Sequence, residues 1–298
     1  MNVVIKVDEE TKNKMIEYYK DKKREKTPPY AIFQAEEEDT IITLYESGKA
    51  MFQGTSAFVD ANMWKAIKEN DEDDKNEIDY LNTTSVGSDE VGTGDYFGPI
   101  VVTSCYVKKE DLSFLKDLGC TDSKKITDDK IKKIAPEIIK KIKYKSIILS
   151  NEEYNQKYSK ENNMNKIKAI MHNRVLSLIL DEIDEKLDYI IVDEFAKENR
   201  YYSYLNEIPS VIKNITFVTK AESKNMAVAC ASIISRYIFL QEFDKLADTY
   251  HIPLPKGSGS NVDKIGEELV EKYGKEVLDK TAKKNFSNTS RILKTRII

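Results

Sequence analysis

The sequence predicts an α/β protein in two parts. Residues 85–298 read as a mixed sheet with flanking helices, and residues 1–66 as a small α+β domain ahead of it. Three observations lead there. The first 66 residues run strand, helix, three strands, helix. Residues 67–84 are acidic and poor in apolar side chains. Beyond them, apolar strand-like runs alternate with helical segments, the pattern of packed α/β layers. At 298 residues the chain is long enough for two domains.

VVIKV is the expected first strand. TKNKMIEYYKDKKR places Met15, Ile16 and Tyr19 at helical spacing and ends at Pro28-Pro29. YAIFQAEEEDTIITLYESGKAMFQG reads as three strands, with turns at EEED and at Glu46-Ser47-Gly48. Alternation of Ile32 and Gln34 with Phe33 and Ala35 predicts a one-sided antiparallel sheet, and AFVDANMWKAIKE is a closing helix. Phe33, Tyr45 and Phe52 suit either the core or base stacking. Lys20, Lys22, Lys23, Arg24 and Lys26 form a basic cluster that Asp21 and Glu25 interrupt.

Residues 1–66 carry a net charge of −2, residues 67–80 carry −5, and the remainder carries +3. The acidity is therefore concentrated in KENDEDDKNEIDY, expected to be a solvated linker. Its run Asp71-Glu72-Asp73-Asp74 has the composition of a cation site but no scaffold to fix carboxylates in place.

In the second part, residues 85–90 and 99–107 read as strands joined by a glycine turn. DDKIKKIAPEIIKKI is a helix with Thr127 as N-cap. KSIILS is a strand, Asn165–Ile183 an amphipathic helix, and DYIIVDEF and ITFVTK further strands. A long helix opens near Glu222, and a last one spans Asn261–Lys284 after a Pro/Gly loop.

Composition narrows the chemistry. Cys105, Cys120 and Cys230 are scattered without metal spacing, as expected of unpaired thiols in a reducing cytosol. His172 and His251 are the only histidines, which argues against a histidine-rich zinc site or a His-based nucleophile triad. No stretch is expected to span a membrane, and Met1 leads into NVVIKVDEE without a signal-peptide pattern.

VGSDEVGTGDYFGP gathers four of the chain's 11 glycines beside Asp89 and Glu90. Neighbours on a strand face opposite ways, so both acids can serve one site only if the strand ends or kinks there. Gly92 and Gly94 would supply the kink and a main chain open to a ligand. Asp193 closes the apolar run YIIVD, at a strand end where α/β ligands gather. The same alternation turns Glu194 away. Glu222 stands where a strand hands over to a helix rich in Ala227, Ala229, Ala231 and Ser232. Singly, Asp193 could be a solvent-facing strand terminus and Glu222 a first-turn glutamate complementing the helix dipole, typically contributing ~0.3–1 kcal/mol. Gathered together, carboxylates need a cation, and oxygen-only donors favour Mg2+ or Mn2+ over zinc.

GSDEVGTGDYFGP, DSKK (Asp122–Lys125), IIVDEF and KAESKNMAVACASIISR, in this order, resemble the prokaryotic type 2 ribonucleases H, and ribonuclease HIII most. The resemblance spans about residues 85–298. YAIFQA and SGKAMFQG resemble that family's N-terminal domain, which is similar to half of a TATA-binding protein. Gly92-Thr93-Gly94 where ribonuclease HII usually has Gly-Arg-Gly, Glu222 where it usually has Asp, and the extra N-terminal domain all favour HIII.

The resemblance implies a ribonuclease H-like fold that cleaves the RNA strand of RNA/DNA hybrids, leaving 3′-hydroxyl and 5′-phosphate ends. It implies that Asp89, Glu90, Asp193 and Glu222 are catalytic and hold two Mg2+ or Mn2+ ions, Asp89 bridging both. It also implies that Gly92, Thr93 and Gly94 read the 2′-hydroxyl and that Ser123, Lys124 and Lys125 hold a backbone phosphate. A plain hairpin turn and a solvated lysine pair remain the alternatives for those two segments. His172-Asn173 also matches family positions, although a helix histidine is more often structural. The N-terminal domain is expected to grip substrate, and the protein to be a cytoplasmic monomer without an obligate protein partner. Excision of single ribonucleotides from duplex DNA, as in HII, and non-catalytic nucleic-acid binding are the competing functions.

Overall fold

A computed structural model describes residues 2–37, 40–72, 79–120 and 126–294. They belong to two compact units, Met1–Ile78 and Asp79–Ile298.

The first unit comprises β1 (Asn2–Lys6), α1 (Glu9–Tyr18), β2 (Ala31–Glu37), β3 (Thr40–Tyr45), β4 (Lys49–Gly54) and α2 (Ala57–Glu72). Its antiparallel sheet has the order β1-β4-β3-β2. Strand alternation turns Ile5, Phe33, Ala35, Ile42, Leu44, Ala50 and Phe52 onto Met15 and Tyr19 and onto Ala57, Ala61 and Trp64 of α2. The Trp64 indole donates to the Tyr19 hydroxyl at 2.9 Å. Phe33 and Phe52 are thus core residues and not stacking platforms, whereas Val4 and Ile32 are exposed. Within the basic cluster, Lys20 pairs with Glu17, Lys22 with Glu37 and Arg24 with Glu36. Helix α2 continues to Glu72, into the stretch expected to be linker. Its Lys, Glu and Asn residues include no proline or glycine to stop a helix. Asp73 and Asp74 lie outside the described residues.

The second unit has a five-stranded mixed sheet built from β5 (Ser85–Val91), β6 (Ile100–Val107), β7 (Lys143–Leu149), β8 (Tyr189–Asp193) and β9 (Ile215–Val218), in the order β7-β6-β5-β8-β9. β7, β6 and β5 are antiparallel, while β8 and β9 run parallel to β5. Around them lie α3 (Leu112–Asp117), α4 (Asp128–Lys141), α5 (Asn151–Lys157), α6 (Met164–Leu180), α7 (Glu198–Tyr204), α8 (Ala221–Lys224), α9 (Met226–Tyr250), α10 (Ser260–Tyr273), α11 (Val277–Thr281) and α12 (Ser287–Lys294). Thr127 caps α4 by accepting from Lys130 N–H, as its sequence predicts.

The sheet's two faces follow the period of two. Ile100 and Val102 pack on Ile167, Met171 and Val175 of α6, while Cys105 and Val107 meet α4 and α9. β5 divides the same way: Gly87 faces α9, and Ser88 reaches His172 of α6.

Three expectations change. The helix expected from Glu222 is two helices, because Asn225 is extended and caps α9 by accepting from Ala227 and Val228 N–H. The expected Asn261–Lys284 helix breaks at Gly274, where φ is +82°, and resumes as α11. Against the expectation that no stretch spans a membrane, α9 is long and apolar enough to cross one, yet 67% of its most apolar window is buried inside the protein. An all-round apolar helix of this kind is the centre of a core.

Helix α9 lies so close to β5 that a Cβ on Gly87 would stand 2.3 Å from Val228 N and 2.6 Å from Ala227 C. Backbone cannot yield as a flexible side-chain tip can. The Gly87→Ala protein should therefore lose at least ~1–3 kcal/mol of stability in urea unfolding, whereas Gly94→Ala, with nothing within 4 Å, should unfold like the parent.

Candidate active site

The parallel ladder between β5 and β8 ends at Ser88 and Val192. Past that point the two strands part, and a cavity of about 340 Å³ opens at their carboxyl ends. Asp89, Glu90, Asp193 and Glu222 all line it, as do Gly92, Thr93, Gly94, Ser232 and Arg236. Acids from three separate places in the sequence are thereby brought to one cleft. Glu194 is not among the described lining residues and pairs with Lys197.

The two adjacent acids share this cleft without the expected kink. The β5–β6 register runs unbroken through Asp89, Glu90 and Val91. Alternation therefore sends Asp89 to the α9 side, where the Ser232 hydroxyl bonds its carboxylate. It sends Glu90 to the α6 side. There the Glu90 carboxylate receives the Lys168 ammonium on one oxygen and lies 2.8 Å from His172 Nε2 on the other. The Ser88 hydroxyl meets His172 Nδ1 at 2.7 Å. Phe195 completes the group: its ring stacks on His172 with centroids 5.3 Å apart, and the Lys168 ammonium sits 4.1 Å from its centre. Lys168 and His172 are four apart on one helix face. His172 thus buttresses an acid, and Lys168 is a site residue that sequence reasoning missed. An i, i+4 Lys/His pair is its only trace in the sequence.

Asp193 is held by the Ala221 N–H, which donates to its Oδ1 at 2.8 Å. The preceding Lys220 adopts a left-handed conformation with φ +55° to turn that amide inward. Glu222, one residue beyond Ala221, is 5% exposed.

Electrostatics separates the adjacent carboxylates. Burial, then the charges of Glu90 and Asp193, hold the Asp89 carboxyl well above the usual range. Burial pushes Glu90 upward too, but His172 and Lys168 outweigh it and bring it down to about 2.

The glycines have different reasons. Gly92 has φ +96°, and a Cβ there would meet Pro99 O at 2.2 Å, so the turn itself requires it. Gly94 has open space where its side chain would be. Ser123, Lys124 and Lys125 lie outside the described residues. The segment after them is tied down, since Arg236 donates to Ile126 O and to Asp128.

Residues 86–289 match the family Ribonuclease HII, and residues 2–77 match a domain of unknown function, DUF3378. The Ribonuclease HIII of Listeria monocytogenes serotype 4b (strain CLIP80459) is 39% identical over 98% of both chains. The chain belongs to the ribonuclease HIII family. A Bacillus cereus Ribonuclease HIII is 38% identical, again over 98% of each chain. The crystal structure of Bst-RNase HIII in complex with Mn2+ covers 100% of this chain and 99% of its own, with a TM-score of 0.71 and 34% identity. Aquifex aeolicus RNase H3, 23% identical with a TM-score of 0.57 over 95% and 99% of the chains, shares the fold.

The donor set suits a hard divalent cation of the kind this family implies: carboxylate oxygens, crowded enough to raise Asp89. Among the described residues no three donors stand close enough together to form a completed ligand shell. Lys168 and His172 draw Glu90 aside.

With its carboxyl raised, Asp89 binds more protons in the folded than in the unfolded chain as pH rises from about 4, so it makes folding progressively less favourable toward neutrality. Asp89→Asn removes that burden. In chelator at pH 7 the variant should melt higher than the parent, and the gap should shrink toward pH 4 in differential scanning calorimetry.

Proposed function

We infer that this chain is a divalent-metal-dependent endoribonuclease that cleaves the RNA strand of RNA/DNA hybrids. The observation that carries the reading is the convergence of Asp89, Glu90, Asp193 and Glu222 on one cleft beside an open glycine turn, in a member of the ribonuclease HIII family. Asp89, Glu90, Asp193 and Glu222 would hold two Mg2+ or Mn2+ ions. Such a pair supplies Lewis acidity for ionising water and for the charge that grows on the departing 3′-oxygen. The products are then a 3′-hydroxyl and a 5′-phosphate.

The chain's own groups position these parts. Ser232 and the Ala221 amide orient Asp89 and Asp193. Lys168 and His172 hold Glu90 in reserve, and it would turn from them toward a bound cation. Among the described residues lining the cleft there is no cysteine or histidine, so water is the nucleophile this reading needs. Hybrid is told from DNA at its 2′-hydroxyls, displayed in a wide minor groove. The exposed main chain at Gly94 is free to meet that hydroxyl, and Ser123, Lys124 and Lys125 would hold a neighbouring phosphate.

The first unit would grip the hybrid through the sheet face that carries Val4 and Ile32, opposite the face closed by the helices. The protein is expected to act as a monomer. Three buried free thiols support a reducing cytosol as its compartment.

With magnesium or manganese the protein should cut a labelled hybrid at internal positions, and EDTA should stop it. A duplex with a single ribonucleotide should be cut far more slowly, and the opposite preference would indicate an HII-like enzyme. Asp89→Asn should bind hybrid yet turn over on the order of a hundredfold or more slowly, and near-normal turnover would reject the role given to Asp89. Deleting residues 1–78 should raise KM more than it lowers kcat; unchanged hybrid affinity would rule out a gripping role.

A further inference from the structure

Lys283 is 1% exposed, and among the described residues it has no carboxylate within salt-bridge distance. Its ammonium instead donates to two main-chain carbonyls of the glycine turn, Asp95 O at 2.9 Å and Gly98 O at 2.5 Å. Around this contact the turn is fastened to the end of the chain by its backbone. Lys283 N–H donates to Tyr96 O, Gly98 N–H donates to Thr281 O, and Phe97 bridges to Ala282. Asn151 adds a second donor to Gly98 O at 2.9 Å, and Gly257 N–H donates to the Asp95 carboxylate at 2.6 Å.

A glycine-rich turn that shows its outer main chain to a ligand must direct other carbonyls inward. A buried carbonyl left without a donor is costly. Asp95 O and Gly98 O are such groups, and one side chain long enough and rich enough in N–H bonds serves both. The cost to the lysine itself is large, since burial pushes its amine down to about 7, with Asp95 the charged group that acts against this. An apolar residue would fill the same space without that cost, but it would leave Asp95 O without this donor.

We infer that Lys283 is a positioning residue for the ribonuclease: it pins the Gly92–Gly98 turn from beneath and so fixes the height at which Gly94 meets a ribose beside Asp89. The inference deepens the functional reading above and rests on it. It extends the working site to the C-terminal helices, which do not line the cleft. Deprotonation does not release the pin, because a neutral amine keeps two N–H bonds, one for each carbonyl.

The test uses the full-length chain and Lys283→Met, which keeps the length and loses the donors. Deuterium exchange across residues 91–98 should speed up at least about tenfold. On saturating hybrid, kcat should fall about tenfold or more while KM changes less than about threefold, since misplacement acts on chemistry more than on grip. Parental exchange in the turn overturns the inference. So does faster exchange with unchanged kcat below the melting temperature, the result expected of a purely structural lysine. Should Lys283→Met fail to fold, the parent decides: the Tyr96 amide, whose peptide carbonyl Asp95 O accepts from Lys283, should shift with pH at the same midpoint as the Lys283 Nζ signal, and an independent midpoint overturns the pin. The exchange and resonance readouts need no substrate. A parent that leaves hybrid uncut would therefore count against the functional reading alone.

Discussion

Mutual repulsion among four carboxylates is the constraint around which the second unit is arranged. Asp89, Glu90, Asp193 and Glu222 share one partly buried cleft, where like charges act more strongly on one another than in bulk water. The fold answers in two ways. Glu90 is given a cation and an imidazole of the protein's own, and its carboxyl drops. Asp89 is given a hydroxyl and the Glu90 amide, with no cation paired to it among the described residues, and its carboxyl rises. The adjacent pair is thus split into one carboxyl lowered by paired charge and one raised by burial and like charge.

This division follows from strand geometry. A period of two puts residues 87 and 89 toward α9 and residues 88 and 90 toward α6, and the separation of β5 from β8 after Ser88 lets both sides open on one cleft. Gly87 and the small residues of α9 bring that helix down onto the strand, which places Ser232 beside Asp89. Asp193 obeys the same parity on β8, and its neighbour Glu194 falls on the other side.

Much of this was legible in the sequence. Apolar runs marked most of the strands, strand ends marked three of the four candidate positions, and the concentration of glycine marked the turn. Helix limits differ from expectation where a single capping residue decides them. Asn225 separates α8 from α9, and Gly274 ends α10, both by ordinary helix-end chemistry. The continuous ladder through Asp89 and Glu90 could not be read, because strand register depends on the partner strand. Lys168, His172 and Phe195 were hidden for a similar reason. Nothing local distinguishes a lysine and a histidine on a helix from a solvated face until the strand they pack against is known. Lys283 lies further still from pattern, since its partners are backbone carbonyls nearly two hundred residues earlier.

The placement of α9 also bears on how the molecule is made. The helix that covers β5 and β6 is supplied late, and Ser235 bonds to Asp89 across 146 residues. A nascent chain emerging from the ribosome must therefore carry its first two central strands uncovered until most of the remaining domain has been synthesised. Such non-local closure slows folding and exposes strand edges in the interval. The first unit closes within its own residues and can fold well before that, so synthesis yields a finished small domain tethered to an open sheet that waits for its lid.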